Sequence, residues 1–172
     1  MANIIKITIR EAVESDLNEV HQMLSDLISF QKLPHAAMDR CMFKKDSGLT
    51  PGQPHPYFHI LVAETMDKQL AGYALYYFQY KTSKGKYVYL EDIFVKEEFR
   101  GSCVGHRLMK QVSDICLKHE AVGIRLQCLT YNSAKKFYER CGAVPNGIQV
   151  NDWLEYEIVG DMIQRLHETM YV

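Results

Sequence analysis

The sequence predicts one α/β domain, in which a mixed, mostly antiparallel, twisted sheet is flanked by helices on both faces. Some stretches carry apolar residues at every second position, as half-buried strands do, and others carry them three and four positions apart, as helices do. The helical stretches alternate with the strands, and short turns join several strand pairs. The 172 residues suit a single domain with its own core, so the predicted domain is 1–172.

The N-terminal half begins with a predicted strand, because Ile5, Ile7 and Ile9 alternate with polar residues. Ser15 is the expected N-cap of a first helix, whose apolar residues fall on one face. A second, shorter helix is expected after Pro34. This second helix is predicted at 36–45, and a Pro- and Gly-rich loop follows at 46–56. Two strands are predicted at 57–64 and 69–81, and a third begins at Tyr87.

The C-terminal half alternates helices and strands. A helix opens directly after the turn that follows the Tyr87 strand, and Gly142 is expected to close a later helix in the C′ position. The remaining predicted elements are a strand at 123–129, a helix at 133–141, a strand at 153–159 and a helix at 161–170.

Composition excludes several functional classes. The formal net charge of −1 gives no basic surface for nucleic acid. No apolar stretch is long enough to span a membrane, and the N-terminus does not resemble a signal peptide. The five cysteines form no CxxC pair, which favours reduced thiols in the cytoplasm, and His55 and His59 lack the neighbours of a metal site. No metal is therefore expected.

The segment Tyr87–Lys110 carries the chemistry. A strand containing the carboxylate pair Glu91-Asp92 leads into the turn Arg100–Gly105, which opens a helix. Backbone N–H groups at a helix N-terminus attract anions, and the two Gly let the backbone approach a phosphate closely. The turn has neither the Gly-Lys-Ser/Thr of a P-loop nor a GxGxxG motif. A phosphate site beside two carboxylates indicates group transfer from a phosphorylated cofactor.

The turn resembles the R/Q-x-x-G-x-G/A coenzyme A loop of GNAT acetyltransferases. The preceding Tyr89–Val95, YLEDIFV, is similar to the YLEDxFV of the diamine (spermidine/spermine) and thialysine acetyltransferases of that superfamily. The resemblance implies the GNAT fold, acetyl-CoA as co-substrate, a small primary amine as acceptor and a homodimer. Further matching pieces are Ile9–Ala12, His55–His59, Leu61–Glu64, Tyr76–Phe78, Asn132, Phe137-Tyr138, Gly142-Ala143 and Trp153.

The resemblance also implies residue roles. Glu91 matches the residue that takes the amine proton through water, and Asp92 matches the one that holds the cationic substrate. Adjacent residues of a regular strand point to opposite faces, and the resemblance implies a β-bulge at this pair that would change their directions. Tyr138 matches the tyrosine placed to protonate the leaving thiolate. The implied cofactor-binding residues are Ile93, Phe94, Val95, Arg100, Gly101, Ser102, Cys103, Val104, Gly105, Asn132 and Lys135.

Two departures from the family pattern concern the cofactor. Cys103 stands where the family usually has Gly, which is harmless if its φ is negative and distorts the loop if its φ is positive. The spacing between Asn132 and Tyr138 is one residue shorter than in the family, so the usual cofactor contact of Asn132 is in doubt.

Three further departures concern the substrate. Gln31, Lys81 and Asn151 stand where the family has acidic residues. A long polyamine needs carboxylates distributed along its groove, so these positions favour a diamine or a lysine-like amino acid. Two alternatives stay open, which are acetylation of a peptide or protein amine and coenzyme A binding with little catalysis.

Overall fold

Seven strands and five α-helices occupy residues 6–53 and 55–169, which are the parts of the chain that the computed structural model describes. The strands are β1 (Ile7–Glu11), β2 (His59–Thr65), β3 (Leu70–Lys81), β4 (Gly85–Val95), β5 (Gly123–Leu129), β6 (Val144–Val150) and β7 (Trp153–Val159). The helices are α1 (Leu17–Phe30), α2 (Arg40–Asp46), α3 (Val104–Lys118), α4 (Lys135–Arg140) and α5 (Asp161–Glu168), with single 3₁₀ turns at Glu14–Asp16 and Glu97–Phe99.

The strand order is β1-β2-β3-β4-β5-β7-β6. Strands β4 and β5 are parallel, whereas β1 with β2, β5 with β7 and β6 with β7 are antiparallel. The predicted fold class, a mixed and mostly antiparallel α/β architecture, is therefore confirmed. The chain forms two compact units, and both β3 and β4 contribute residues to each of them.

The first unit contains the described residues up to Leu75 together with Asp92–Leu108. Its core forms because α1 is amphipathic and buries one stripe of apolar side chains, as its sequence period predicts. Gly72 lies within this unit against the end of β4, where a Cβ would stand 2.4 Å from the carbonyl oxygen of Phe94. Only glycine permits so close an approach. Gly72 therefore lets β3 pack closely against the end of β4, the strand that precedes the turn Arg100–Gly105. The buried core residues include Leu17, Val20, Met23, Leu27, Phe43, Ile60, Val62, Tyr73 and Phe94.

The second unit contains Tyr76–Glu91 and the described residues from Met109 onward. Its sheet is centred on β5, which pairs with β4 through Tyr89 opposite Arg125, and with β7 through Arg125 opposite Glu157. Alternation along β5 separates the buried apolar residues Ile124 and Leu126 from Arg125. One face of this sheet is therefore polar at positions that solvent hardly reaches.

Strand β6 was not predicted. Its residues are almost all exposed, and Pro145 and Gly147 interrupt any alternation of apolar and polar side chains. The strand exists because it pairs with β7, with an irregularity in register between Pro145 and Gln149. Pro and Gly are tolerated in an edge strand with such an irregularity, where ladder hydrogen bonds are incomplete.

The helix starts also differ from expectation. The predicted N-cap Ser15 lies inside a 3₁₀ turn, and Asp16 is the cap residue of α1. Helix α2 begins four residues after its predicted start, where the Asp39 side chain accepts hydrogen bonds from Cys41 and Met42 N–H groups. Two predicted strand and helix ends, Ile5 and Met170, fall outside the described residues.

Candidate active site

Strand β4 carries one extra residue near Glu91. The Tyr77 and Tyr89 rings stack with centroids 5.0 Å apart, and the Tyr73 and Phe94 rings lie 6.4 Å apart. Tyr73 precedes Tyr77 by four positions in β3, whereas Tyr89 precedes Phe94 by five in β4. An antiparallel partner that needs one additional residue over the same span contains a β-bulge. The expected irregularity therefore lies between Tyr89 and Phe94, the interval that contains Glu91.

Glu91 is an exposed residue of β4. Its side chain has solvent-accessible surface, yet the surrounding protein partly desolvates the carboxylate and raises its pKa. Burial raises the pKa of Tyr77 and Tyr89, and the charge of Glu91 raises it further. The charge of the carboxylate therefore acts on both phenol groups. A carboxylate with a raised pKa accepts a proton more readily than an ordinary one.

The residues of β4 that follow Glu91 differ in the exposure of their side chains. Asp92, Ile93 and Val95 are half-buried, whereas Phe94 is only 8% exposed and its ring belongs to the core of the first unit. The backbone of this strand end is fastened to β3 by a 2.9 Å hydrogen bond from Lys96 N–H to the carbonyl of Ala71. Phe94 therefore contributes to a site through its backbone and not through its ring.

Side chains of the turn Arg100–Gly105, called the phosphate loop below, make contacts that fix the turn in place. The Arg100 side chain donates through Nε to the carbonyl of Val95 at 3.0 Å, and its guanidinium lies 5.2 Å from the centre of the Phe30 ring. The Ser102 hydroxyl donates to the carbonyl of Phe99. These contacts tie the turn to β4, to α1 and to the preceding 3₁₀ turn, so its main chain is the part suited to bind a ligand.

Helix α3 opens directly from this turn. The carbonyl of Cys103 accepts the first helical hydrogen bond, from Arg107 N–H at 3.0 Å. The N–H groups of Val104 and Gly105 belong to the first turn, where α-helical geometry offers no intrahelical acceptor. Such N–H groups, together with the helix dipole, fit a pyrophosphate. The loop geometry therefore suits the coenzyme implied by the sequence.

Cys103 adopts a backbone conformation that favours glycine. Its φ is +62°, and the loop residue Gly101 has a φ of +79°. A side chain with a Cβ is strained by about 1–2 kcal/mol in the left-handed region, whereas Gly is not. The sequence left the sign of this φ open, and the positive value makes Cys103 the strained position of the loop.

Cys103→Gly is expected to increase the free energy of unfolding by about 1 kcal/mol, because it removes this strain at the cost of some chain entropy. It is also expected to tighten coenzyme A binding several-fold by relaxing the loop. Urea denaturation and calorimetric titration with coenzyme A measure the two effects. Cys103→Ala is the matched control, because it removes the thiol and keeps the Cβ. Equal gains in both variants would assign the effect to the thiol and contradict the strain argument.

The remaining predicted cofactor and catalytic residues lie around α4 in the second unit. Tyr138 is 9% exposed and its carbonyl accepts from Ala143 N–H. The side-chain oxygen of Asn132 accepts from Ala134 N–H at 2.9 Å, and the Lys135 ammonium donates to the carbonyl of Thr130. Both side chains brace the turn before α4, and each keeps hydrogen-bond donors beyond these bonds, the amide N–H groups of Asn132 and the remaining ammonium N–H groups of Lys135.

The three predicted substrate-binding positions at which this chain departs from the family lie in different elements of the fold. Gln31 ends α1 as its C-cap, and Lys81 is the last residue of β3. Asn151 lies in the two-residue turn between β6 and β7 with φ +54°, a conformation that Asn tolerates. Of the predicted site residues, Gln31, Asp92, Ile93–Val95 and Arg100–Gly105 belong to the first unit, and Lys81, Glu91, Asn132, Lys135, Tyr138 and Asn151 to the second.

Sequence reasoning missed a buried ion pair in the second unit. Arg125 and Glu155 lie 2.6 Å apart, with side chains 4% and 8% exposed. The Arg125 guanidinium also lies 5.3 Å from the centre of the Tyr87 ring and donates to the Gln79 side-chain oxygen at 3.5 Å. The sequence feature that could have indicated this pair is a charged residue within each of two predicted apolar strands, Arg125 in 123–129 and Glu155 in 153–159.

Two classes of feature are absent from the described residues. The described ranges contain no group of three or more His, Cys, Asp and Glu side chains placed to hold a metal ion. Among the helices of the described chain, none is long and apolar enough to cross a membrane.

Comparison with known proteins identifies the family. The profile of the acetyltransferase (GNAT) family matches residues 18–143. The thialysine N-epsilon-acetyltransferase of Mus musculus is 34% identical over 166 residues, which is 92% of this chain and 95% of that protein. The spermidine/spermine N(1)-acetyltransferase-like protein 1 of Homo sapiens is 27% identical over 144 residues, covering 79% of this chain and 20% of that protein.

Solved structures share the fold. The PaiA N-acetyltransferase of Thermoplasma acidophilum, crystallised with coenzyme A, superposes with a TM-score of 0.68 at 16% identity, over 91% of this chain and 100% of that one. Mutant forms of the spermidine/spermine N-acetyltransferase SpeG of Vibrio cholerae give a TM-score of 0.68 at 17% identity, over 94% and 98% of the two chains. With its strand order, its phosphate loop and these relatives, the chain belongs to the GNAT family and is an acetyl-CoA-dependent N-acetyltransferase.

Proposed function

We propose that the acceptor is the primary amine of a small molecule, which attacks the thioester of acetyl-CoA directly in a ternary complex. The observation that carries the proposal is Glu91, a partly desolvated carboxylate with a raised pKa at the bulge of β4. A primary amine has a pKa of about 10 and is almost fully protonated at neutral pH. A base that removes this proton makes the nitrogen nucleophilic, and Glu91 takes this role, directly or through water.

The other residues have supporting roles in this proposal. Asp92 holds the ammonium group before its proton is lost. Tyr138 lies near the leaving thiolate, where it positions or protonates the sulfur; a phenol is a weaker acid than a thiol, so positioning is the larger part. The main chain of Arg100–Gly105 binds the pyrophosphate, assisted by Asn132 and Lys135.

The buried cysteines support direct transfer over a covalent enzyme intermediate. Burial raises the pKa of Cys116 and Cys128 to about 11 and that of Cys141 to about 12. Thiols with such pKa values are protonated at neutral pH and are poor nucleophiles. An acetylated cysteine at any of the three is therefore disfavoured.

The substituted substrate positions support a short acceptor. Gln31 and Asn151 are neutral and Lys81 is cationic, so they do not supply the distributed negative charge that a polyamine needs. The curated relatives named for thialysine, a lysine analogue, point the same way. We therefore propose a diamine or a lysine-like amino acid as the substrate.

One observation favours a second candidate function. The positive φ of Cys103 strains the loop that binds coenzyme A, which fits a protein that binds the cofactor and has little turnover. The retained Glu91, Asp92 and Tyr138 weigh against it. Acetylation of a peptide or protein amine is the remaining alternative.

Assembly and location are also proposals. A homodimer is supported by the edge strand β6, which exposes Val144, Ile148 and Val150. A cytoplasmic location is supported by the five cysteines, all of which are unpaired.

The function is tested by measuring coenzyme A release from acetyl-CoA with spermine, spermidine, putrescine, thialysine, lysine and a histone peptide. We expect the highest kcat/KM for the short amines and amino acids. A clear preference for spermine would contradict the interpretation of Gln31, Lys81 and Asn151. Preference for the peptide would support the protein-acetylating alternative, and cofactor binding without release would support the non-catalytic one.

A further inference from the structure

An aromatic pair lies beside Glu91. The Tyr77 and Tyr89 rings are 5.0 Å apart between centroids with planes inclined by 28°, a stacked arrangement. Tyr89 is 8% exposed, whereas Tyr77 is half-buried. Tyr77 is therefore the ring that retains accessible surface, and Tyr89 backs it from the interior of the second unit.

The surroundings of this pair are electronegative. Glu91 follows Tyr89 by two positions, and its negative charge acts on the phenol groups of both tyrosines. An aromatic ring also presents partial negative charge on its face. The ring face and the carboxylate charge both attract an organic cation.

The strand position opposite the backing ring carries the buried ion pair. Tyr89 lies opposite Arg125 in the register of β4 and β5, and Arg125 holds Glu155 at 2.6 Å. Arg125 is itself positioned by Gln79 and by the face of Tyr87. Tyr89 is buried and stacks on Tyr77, so it gives the accessible Tyr77 ring a fixed surface to pack against.

We infer that Tyr77, backed by Tyr89, is a specificity-determining residue that holds the ammonium end of the acceptor against its ring, next to Glu91. The inference rests on the proposed function. In this arrangement the amine site binds an alkylammonium group through one aromatic ring, Tyr77, and one carboxylate, Glu91. Such a site recognises one cationic centre and requires no further charge on the substrate, which agrees with the neutral or cationic residues Gln31, Lys81 and Asn151.

Kinetics of ring-free variants test this role. Tyr77→Leu is expected to raise KM for the preferred amine about three- to tenfold, with kcat and the KM for acetyl-CoA changed less than about twofold. Tyr77→Phe keeps the ring and is expected to retain the KM of the wild type. Tyr80→Leu is the matched control, because Tyr80 lies on the same strand and is 73% exposed. A fall in kcat with unchanged KM in Tyr77→Leu would overturn the inference.

Binding of butyltrimethylammonium separates the inference from the proposed function, because this cation cannot be acetylated. Calorimetry with the wild type is expected to show binding that Tyr77→Phe retains and Tyr77→Leu weakens about three- to tenfold. Tyr77→Met serves as the ring-free variant should the Leu variant fail to fold. Absence of binding to the wild type, or equal binding to all variants, would overturn the inference. Probe binding without turnover of any amine would contradict the proposed function alone.

Discussion

Glu91→Gln is expected to lower kcat/KM for the amine about a hundred- to ten-thousandfold at neutral pH, the range lost when a general base is removed. The amide is nearly isosteric with the carboxylate but does not accept the ammonium proton. Steady-state release of coenzyme A measures the effect, and the KM for acetyl-CoA is expected to change little. Glu14→Gln makes the same chemical change at an exposed side chain and is expected to retain full activity. Activity within about threefold of wild type in Glu91→Gln would exclude Glu91 as the base.

The pH dependence of activity sharpens this prediction. Partial desolvation raises the pKa of Glu91, so the wild-type enzyme is expected to lose activity as the pH falls through that raised value and Glu91 takes up a proton. Glu91→Gln is expected to lack this acidic limb. A limb of equal midpoint in both proteins would assign it to another group.

The same pKa shift has an opposite consequence for stability. The folded state holds the Glu91 proton more tightly than the unfolded state, whose pKa is near the ordinary value of 4.5. The folded state therefore binds more protons between these two pKa values, and its stability decreases as the pH rises through that window. Glu91→Gln removes the desolvated charge, so we expect it to be at least as stable as wild type at neutral pH. Urea denaturation at several pH values measures this, and lower stability of the variant at neutral pH would contradict it.

Breaking the buried ion pair is expected to have the largest effect on stability. Arg125→Met or Glu155→Leu alone should lower the free energy of unfolding by about 3–5 kcal/mol, because each leaves an uncompensated buried charge. The double variant Arg125→Met/Glu155→Leu removes both charges and is expected to recover most of that loss. Urea denaturation of the four proteins forms a double-mutant cycle that isolates the coupling. Additive losses would show that the pair is not coupled.

A solvent-accessible pair provides the control for this cycle. Lys110 and Asp114 lie 3.4 Å apart with side chains 31% and 29% exposed. Lys110→Met is expected to change stability by less than about 1 kcal/mol, because water screens such pairs. A cost as large as that of Arg125→Met would show that burial does not set the energy of the Arg125–Glu155 pair.

Local chemistry allowed most elements to be predicted. Helix α1 has a continuous apolar stripe, and the φ of +87° at Gly142 agrees with its predicted place after α4. The phosphate loop and the pair Glu91-Asp92 were found because contiguous residues carry both signals. Within one short segment, backbone conformation and side-chain chemistry depend little on the rest of the chain.

Some features depend on residues that are distant in the sequence, and only the tertiary structure showed them. Strand β6 exists through its pairing with β7, and the bulge in β4 is visible only from the partners of Tyr89 and Phe94 on β3. The sequence likewise left open the sign of φ at Cys103, which depends on how the turn joins β4 to α3.

The sequence by itself determined the family, and it predicted the coenzyme A turn Arg100–Gly105 and the base Glu91, because each motif consists of neighbouring residues. It did not determine what surrounds that carboxylate. Tyr77 comes from β3, and Arg125 and Glu155 come from β5 and β7, strands that only folding brings to one sheet. The raised pKa of Glu91 and the stacking of Tyr77 on Tyr89 follow from packing, because desolvation and ring contacts act through space and not along the chain.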